Sequence, residues 1–286
     1  MAGYDIHQHL WPPPFVEALR RRSGPPCIRG DELVLAEGSY PADLNAHELE
    51  ARIALLDRAH LDVAVVSLQP TLGIQSLAGS ERDELEQAWE AGILDLAAAS
   101  GGRIRPLSPR LPRAGFAGAS VGADAFEDLD VAAPLLDALR GSGFLFVHPV
   151  AGSPPSADRR WWAPVVDYTS QMQRAYFAWL AAGQARWPDV RVVFAILAGG
   201  APVQLERLGC RADAPVESAH ENVFLEISSY GRRAIGLCAD AHGAEQILFG
   251  TDAPVVDPGV AARSLASCGT ELERLAREET PARLLA

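Results

Sequence analysis

The chain is poor in several things at once, and each shortage removes a class of protein. Its 286 residues hold four cysteines, Cys27, Cys210, Cys238 and Cys268, widely separated and without a Cys-x-x-Cys pair. A disulfide framework is therefore not expected. Positive charge is also short: 25 Lys and Arg stand against 37 Asp and Glu, and the basic residues are scattered apart from Arg20-Arg21-Arg22. No basic stripe exists to follow a nucleic-acid backbone. Apolar runs fall far short of the roughly 20 residues needed to span a bilayer, and Asp5, His7 and His9 interrupt any leader-like opening. The expectation is a cytoplasmic protein without nucleic-acid or membrane partners. No repeat or low-complexity linker divides the chain, so one domain over residues 1–286 is expected.

What is abundant is apolar sequence, 48% of residues, and it comes in short strand-like runs separated by helix-like stretches. The runs are Tyr4–His9, Asp62–Leu68, Ile104–Pro109, Phe116–Val121, Phe144–His148, Val190–Leu197, Val223–Ile227 and Gln246–Asp252. Asp62–Leu68 is apolar without alternation, as a parallel strand covered on both faces would be. Residues 23–45, rich in Gly and Pro, read as a long loop with a hairpin near Glu32–Leu35. Asn45 is expected to cap a helix bearing Leu49, Ile53 and Leu56, and Ser80 one running to Ala99. Eight strands with mostly helical connections predict an α/β protein, a (β/α)8 TIM barrel. An open doubly wound sheet is the competitor, but no Gly-x-Gly-x-x-Gly follows any strand. Only residues 111–115 separate the third and fourth strands, too few for a crossover helix. The barrel is thus expected to be slightly distorted, with a reduced third β/α unit.

Barrel chemistry sits at the carboxyl ends of the strands, and that rule sorts the seven histidines. His7 and His9 are two apart on the first strand, so both imidazoles project to one face. His148 ends the fifth strand and Asp252 ends the eighth. Together they are candidate ligands for one divalent metal ion, with zinc the first expectation and a coordination position left for water. His47 and His242 fall on helices; His60 and His220 precede strands at the opposite face. Those four are expected to be structural or exposed.

These same segments resemble the amidohydrolase superfamily, in its amidohydrolase-related branch with aminocarboxymuconate-semialdehyde decarboxylase. The resemblance runs through Asp5-Ile6-His7-Gln8-His9, Arg52-Ile53-Ala54-Leu55-Leu56-Asp57, Phe146-Val147-His148-Pro149, Gly199-Gly200-Ala201-Pro202 and Phe249-Gly250-Thr251-Asp252-Ala253-Pro254. It implies His7, His9, His148 and Asp252 as metal ligands, with Asp252 also the catalytic base and proton donor. It implies Arg52, Trp162 and Arg207 as substrate-binding, and a homodimer in which the Arg207-type residue reaches the neighbouring subunit. The chain departs from the family after the sixth strand, where Ile196 stands in place of a histidine that handles protons. Glu226 is a conceivable substitute, but its ordinary reading, a strand-end residue in a surface loop, is preferred. Metal-dependent hydrolysis of a small carbonyl substrate such as an amide or lactone is the leading expectation. Non-oxidative decarboxylation of a small aromatic or unsaturated acid is the alternative, and a catalytically degenerate metal-binding barrel the third.

Overall fold

A computed structural model describes residues 2–154, 159–212 and 221–286. Eight parallel strands form one sheet in the order β1 (Tyr4–His9), β5 (Val63–Ser67), β6 (Ile104–Ser108), β7 (Gly118–Gly122), β8 (Leu145–His148), β9 (Val192–Phe194), β10 (Val223–Glu226), β11 (Ile247–Leu248). The sheet closes because the chain beyond β11 returns to β1. Phe249 O accepts from Ile6 N at 2.9 Å, His7 O from Asp252 N at 2.8 Å, and Ala253 O from His9 N at 2.8 Å. Closure leaves the barrel sheet no unpaired edge among the described residues. The barrel strands are buried almost throughout, with Ala64, Val66, Phe146, Val193, Phe194 and Leu225 at 1% exposure or less. Strands covered on both faces have no use for alternation, which accounts for their uninterrupted apolar runs.

The third unit is reduced as expected: β6 pairs directly with β7, and no helix lies between them. Residues 23–45 hold more order than a loop with one hairpin. They form a three-stranded antiparallel sheet of β2 (Cys27–Arg29), β3 (Glu32–Leu35) and β4 (Gly38–Pro41). Two expected caps are corrected. Asp43, not Asn45, caps a 3-10 turn over Leu44–His47, and the helix Leu49–Arg58 begins afterwards at Glu48. The helix Gly79–Ala99 starts one residue before Ser80 and has no side-chain cap.

The sixth strand is shorter than its apolar run because the backbone turns over at Ile196. Five successive residues, Ile196 to Gly200, have φ between 46° and 75°. Left-handed geometry costs a non-glycine residue roughly 1–2 kcal/mol, and Ile196, Leu197 and Ala198 all adopt it. Burial of all three side chains holds them there. No helix among the described residues is long and apolar enough to cross a membrane.

Candidate metal centre

β1 carries two imidazoles inward, β8 brings a third, and the turn after β11 brings a carboxylate. His7, His9, His148 and Asp252 each offer one ligand atom, and those atoms lie within 4.8 Å of one another. His7 Nε2 stands 3.2 Å from His9 Nε2. Asp252 Oδ1 is 3.1 Å from His9 Nε2 and 3.5 Å from His7 Nε2. Asp252 reaches this position with φ at 59°, a left-handed conformation that Asp tolerates better than most residues.

The ring tautomers follow from what surrounds each Nδ1. His7 Nδ1 donates to Glu226 Oε2 at 2.8 Å, His9 Nδ1 to Ser67 O at 3.1 Å, and His148 Nδ1 to Pro149 O at 2.8 Å. A carbonyl or carboxylate oxygen can only accept, so every Nδ1 carries the hydrogen. Three Nε2 atoms and a carboxylate oxygen then face one small volume, where in the metal-free protein a proton on one imidazole offsets the carboxylate and a cation could take that proton's place. The donor set therefore fits a divalent ion, and the oriented outer partners are what such ligands need.

Proton affinities show the same pressure. Burial disfavours a charge on His7, but Glu226, Asp252 and Asp5 outweigh it and push its pKa up to about 9. Burial lowers His9, and burial together with the charge on His7 and His9 drives His148 well below the usual histidine range. Burial would raise Asp252, but His7, His9 and His148 hold it below the usual carboxylate range. One imidazole thus takes the positive charge that the carboxylates call for, and the other two stay neutral.

Glu226 is not in a surface loop; that reading is overturned. It is fully buried, and Oε2 accepts from His7 Nδ1, from Ser228 Oγ at 2.9 Å and from Ile196 N at 3.2 Å, while Oε1 accepts from Ser228 N. A Cβ on Gly250 would lie 2.3 Å from Glu226 Oε1, so glycine there makes room for the carboxylate. Asp5 was missed as well. Its Oδ1 accepts from His7 N and Thr251 N, both at 3.1 Å, and its Oδ2 from Gln8 Nε2 and Thr251 Oγ1, both at 2.6 Å. It ties β1 to the turn that carries Asp252. The only sequence signal was an acid two residues ahead of His7 on the same strand.

The remaining candidates fall differently. Arg52 is 1% exposed and donates to Gln8 Oε1, Ala253 O, His9 O and Ala46 O, bracing the outer side of β1. Trp162 is half-buried at the start of the helical segment from Ala163, beside the exposed Trp161. Arg207 is exposed on the short helix Leu205–Gly209. Of the three, Arg52 meets the four-ligand cluster at the backbone oxygen of His9 and not at a ligand atom, and neither Trp162 nor Arg207 shares a hydrogen bond with it among the described residues. His47 is buried, stacks on Trp11 and accepts from its N–H; His242 is tied to Tyr176 and Val223 O; His60 is exposed. His220 lies outside the described residues. The small sheet is tied to the segments that follow β8: Glu37, at the turn between β3 and β4, accepts from Tyr168 Oη at 2.8 Å and Gly152 N at 2.7 Å.

With this geometry in place, the comparisons with known proteins are consistent. The family model described as amidohydrolase matches residues 4–285, and the chain belongs to that family. No curated protein sequence matches it. Among solved structures it is similar to the IDCase of Metarhizium anisopliae, with a TM-score of 0.81, 19% identity, and coverage of 99% of this chain and 97% of that one. It is also similar to 2,6-dihydroxybenzoate decarboxylase from Rhizobium, with a TM-score of 0.72, 15% identity, and coverage of 100% and 98%. A third neighbour is 5-carboxyvanillate decarboxylase from Novosphingobium aromaticivorans, complexed with manganese and a nitrobenzoic acid, at a TM-score of 0.74, 16% identity, and coverage of 99% and 96%. At these identities the likeness is one of fold.

Proposed function

We propose that the protein is a metal-dependent, non-oxidative decarboxylase of a small aromatic or unsaturated carboxylic acid. The observation that carries this reading is the likeness in fold to solved decarboxylases, among them 2,6-dihydroxybenzoate and 5-carboxyvanillate decarboxylase. Asp252 has 16% of its side chain exposed, against 0% for His7 and 1% for His9, and Ile196 stands where the family resemblance implies a proton-handling histidine. Hydrolysis must take a proton from water, polarise a carbonyl and protonate a leaving group. Decarboxylation needs one proton delivered to carbon as the C–C bond breaks and carbon dioxide leaves with neither of that bond's electrons. One carboxyl group can do that: Asp252 takes a proton from the incoming acid or from solvent and passes it to the carbon that loses the carboxylate.

A divalent cation at the four donors would supply Lewis-acid charge against the negative charge of the substrate. Zinc suits three imidazoles and a carboxylate, and the manganese of the Novosphingobium neighbour makes that ion an equal candidate. His7 and His9 are held by Glu226 and Ser67, so the ligand atoms need little rearrangement. Trp162 and Arg207 are proposed as substrate contacts, Arg207 across a homodimer interface. The exposed Val165, Val166 and Val203 lie on the segments flanking these residues and give such an interface an apolar centre.

Hydrolysis remains the second reading because Asp252, the base and donor in hydrolytic relatives, is kept. The test is carbon dioxide release from hydroxybenzoates and carboxyvanillate by metal-loaded protein, beside hydrolysis of lactones and amides. Carbon dioxide from at least one acid is expected. Hydrolysis alone would transfer the assignment to the second reading, and inertness toward both panels would mark a retired barrel.

A further inference from the structure

Past the carboxyl ends of β1 and β5, the pairing of the two segments continues through side chains. His9 and Ser67 are register partners, and His9 Nδ1 meets Ser67 O at 3.1 Å. Two residues further along each segment, Trp11 Nε1 donates to Gln69 Oε1 at 2.6 Å. A third segment joins at this level. His47, at the end of the turn Leu44–His47, stacks on the Trp11 indole with ring centroids 4.3 Å apart, and its Nδ1 accepts from Trp11 N at 3.1 Å. Arg52 fastens that turn to β1, because one guanidinium nitrogen donates to both Ala46 O and His9 O. Trp11, Gln69 and His47 therefore form one layer, the next beyond His9.

Trp11 takes an acceptor atom from each partner and so decides what each has left. An indole N–H and a backbone N–H can only donate. The Gln69 amide is thus turned with its oxygen on Trp11 and its NH2 away from it, and the His47 ring carries its hydrogen on Nε2. Among the described residues, the polar side-chain atoms both sealed from solvent and unpartnered are Arg52 Nε, Ser120 Oγ, Trp179 Nε1 and Arg277 Nε. Gln69 Nε2 and His47 Nε2 have no hydrogen-bond partner among the described residues either, yet they are not sealed. Gln69 is only 6% exposed and His47 7%. Two buried side chains thus each hold a fixed, unused donor nitrogen toward accessible space, and buried donors of that kind are nearly always satisfied.

The field at this layer is positive. Arg52 is bonded to Gln8 Oε1 and three backbone carbonyls, with no carboxylate at salt-bridge distance among the described residues. Its charge reaches His47, where burial, Arg52 and His9 push the pKa down to about 3. The imidazole therefore stays neutral, and the layer is unfavourable to a further cation. Neutral N–H donors in a positive field suit an anionic oxygen, and hydrogen bonds to a charged acceptor are the stronger kind.

We infer that His47 and Gln69 are substrate-binding residues, whose Nε2 donors hold an anionic oxygen of the substrate beside His9, and that Trp11 positions both. The inference rests on the decarboxylase reading only in taking the four-ligand cluster as the reaction centre.

Benzoate, with benzamide as its neutral shape match, is the probe, titrated at pH 7.5 into the full-length, metal-loaded protein and located by difference density. A carboxylate oxygen of benzoate is expected within hydrogen-bond reach of Gln69 Nε2 and His47 Nε2. Gln69→Glu keeps an oxygen for Trp11 Nε1 and puts a second oxygen where the NH2 was. It should weaken benzoate by about tenfold or more and leave benzamide within about threefold, a charge-specific change that a merely structural role would not produce. His47→Asn keeps an acceptor for Trp11 N but has no atom at the Nε2 position, and it should also weaken benzoate by about tenfold. Benzoate affinity within about twofold of the parent in both variants, a carboxylate bonded to neither Nε2 atom, no saturable benzoate binding, or equal losses of benzoate and benzamide in Gln69→Glu would each overturn the inference. Carbon dioxide release is read separately: turnover with benzoate binding unchanged in both variants sinks this inference alone, and the expected benzoate losses without turnover sink only the decarboxylase reading.

Discussion

Glu226→Gln exchanges one oxygen for an NH2 group and tests how far the metal centre depends on a residue that touches no substrate. The carboxylate accepts four hydrogens, three at Oε2 and one at Oε1. The least harmful amide orientation leaves oxygen toward His7 and turns NH2 toward Ser228 N–H, two donors face to face in a buried place. That costs about 1–3 kcal/mol of stability. The surviving bond to His7 Nδ1 loses its charge, and neutral bonds are roughly half as strong as charge-assisted ones. A ligand imidazole deprived of its oriented partner typically binds metal about 10–100-fold less tightly. The assay is a chelator-competition titration on protein shown by circular dichroism to be folded, with thermal melts with and without metal. Metal affinity within about threefold of the parent would refute the reasoning, because Glu226 would then be a bystander to His7.

Further outcomes follow from the same contacts. Gly250→Ala drives a methyl into Glu226 and should reproduce the loss of metal affinity without altering any ligand, as chelator competition will show. Arg52→Met leaves three buried acceptors and one part-buried acceptor without their donor and should cost at least about 1–3 kcal/mol in denaturant unfolding; an unchanged midpoint with a raised KM would instead make Arg52 a substrate residue. Because His7 titrates near 9 in the metal-free protein, it is protonated at pH 7.5, and metal binding should release about one proton, visible as a buffer-dependent heat in calorimetry. The sign for stability is the same: the contribution from protonated His7 is complete below its ordinary value of 6.5 and fades as pH rises through about 9, so metal-free protein should melt lower above that pH. Asp252→Asn should abolish turnover while some metal stays bound by the three imidazoles; full activity with metal present would end the proton-carrier role.

The sequence by itself determined the barrel and the four side chains, His7, His9, His148 and Asp252, that the closed barrel brings together. Strand runs such as Val63–Ser67 and Leu145–His148 were legible because a parallel strand buried on both faces must be apolar throughout. His7 and His9 were legible because alternation along a strand is a local geometric rule. Asp252 and His148 needed only the further rule that barrel chemistry gathers at strand ends. Glu226 could not be recovered in that way, since an acid at a strand end looks alike whether it meets solvent or a histidine 219 positions away. The same holds for Arg52, whose four acceptors come from three separate stretches of chain, and for the turn at Ile196, where packing overrides what a β-branched residue prefers. Those roles are contacts between distant segments, and contacts of that kind exist only once the barrel has closed.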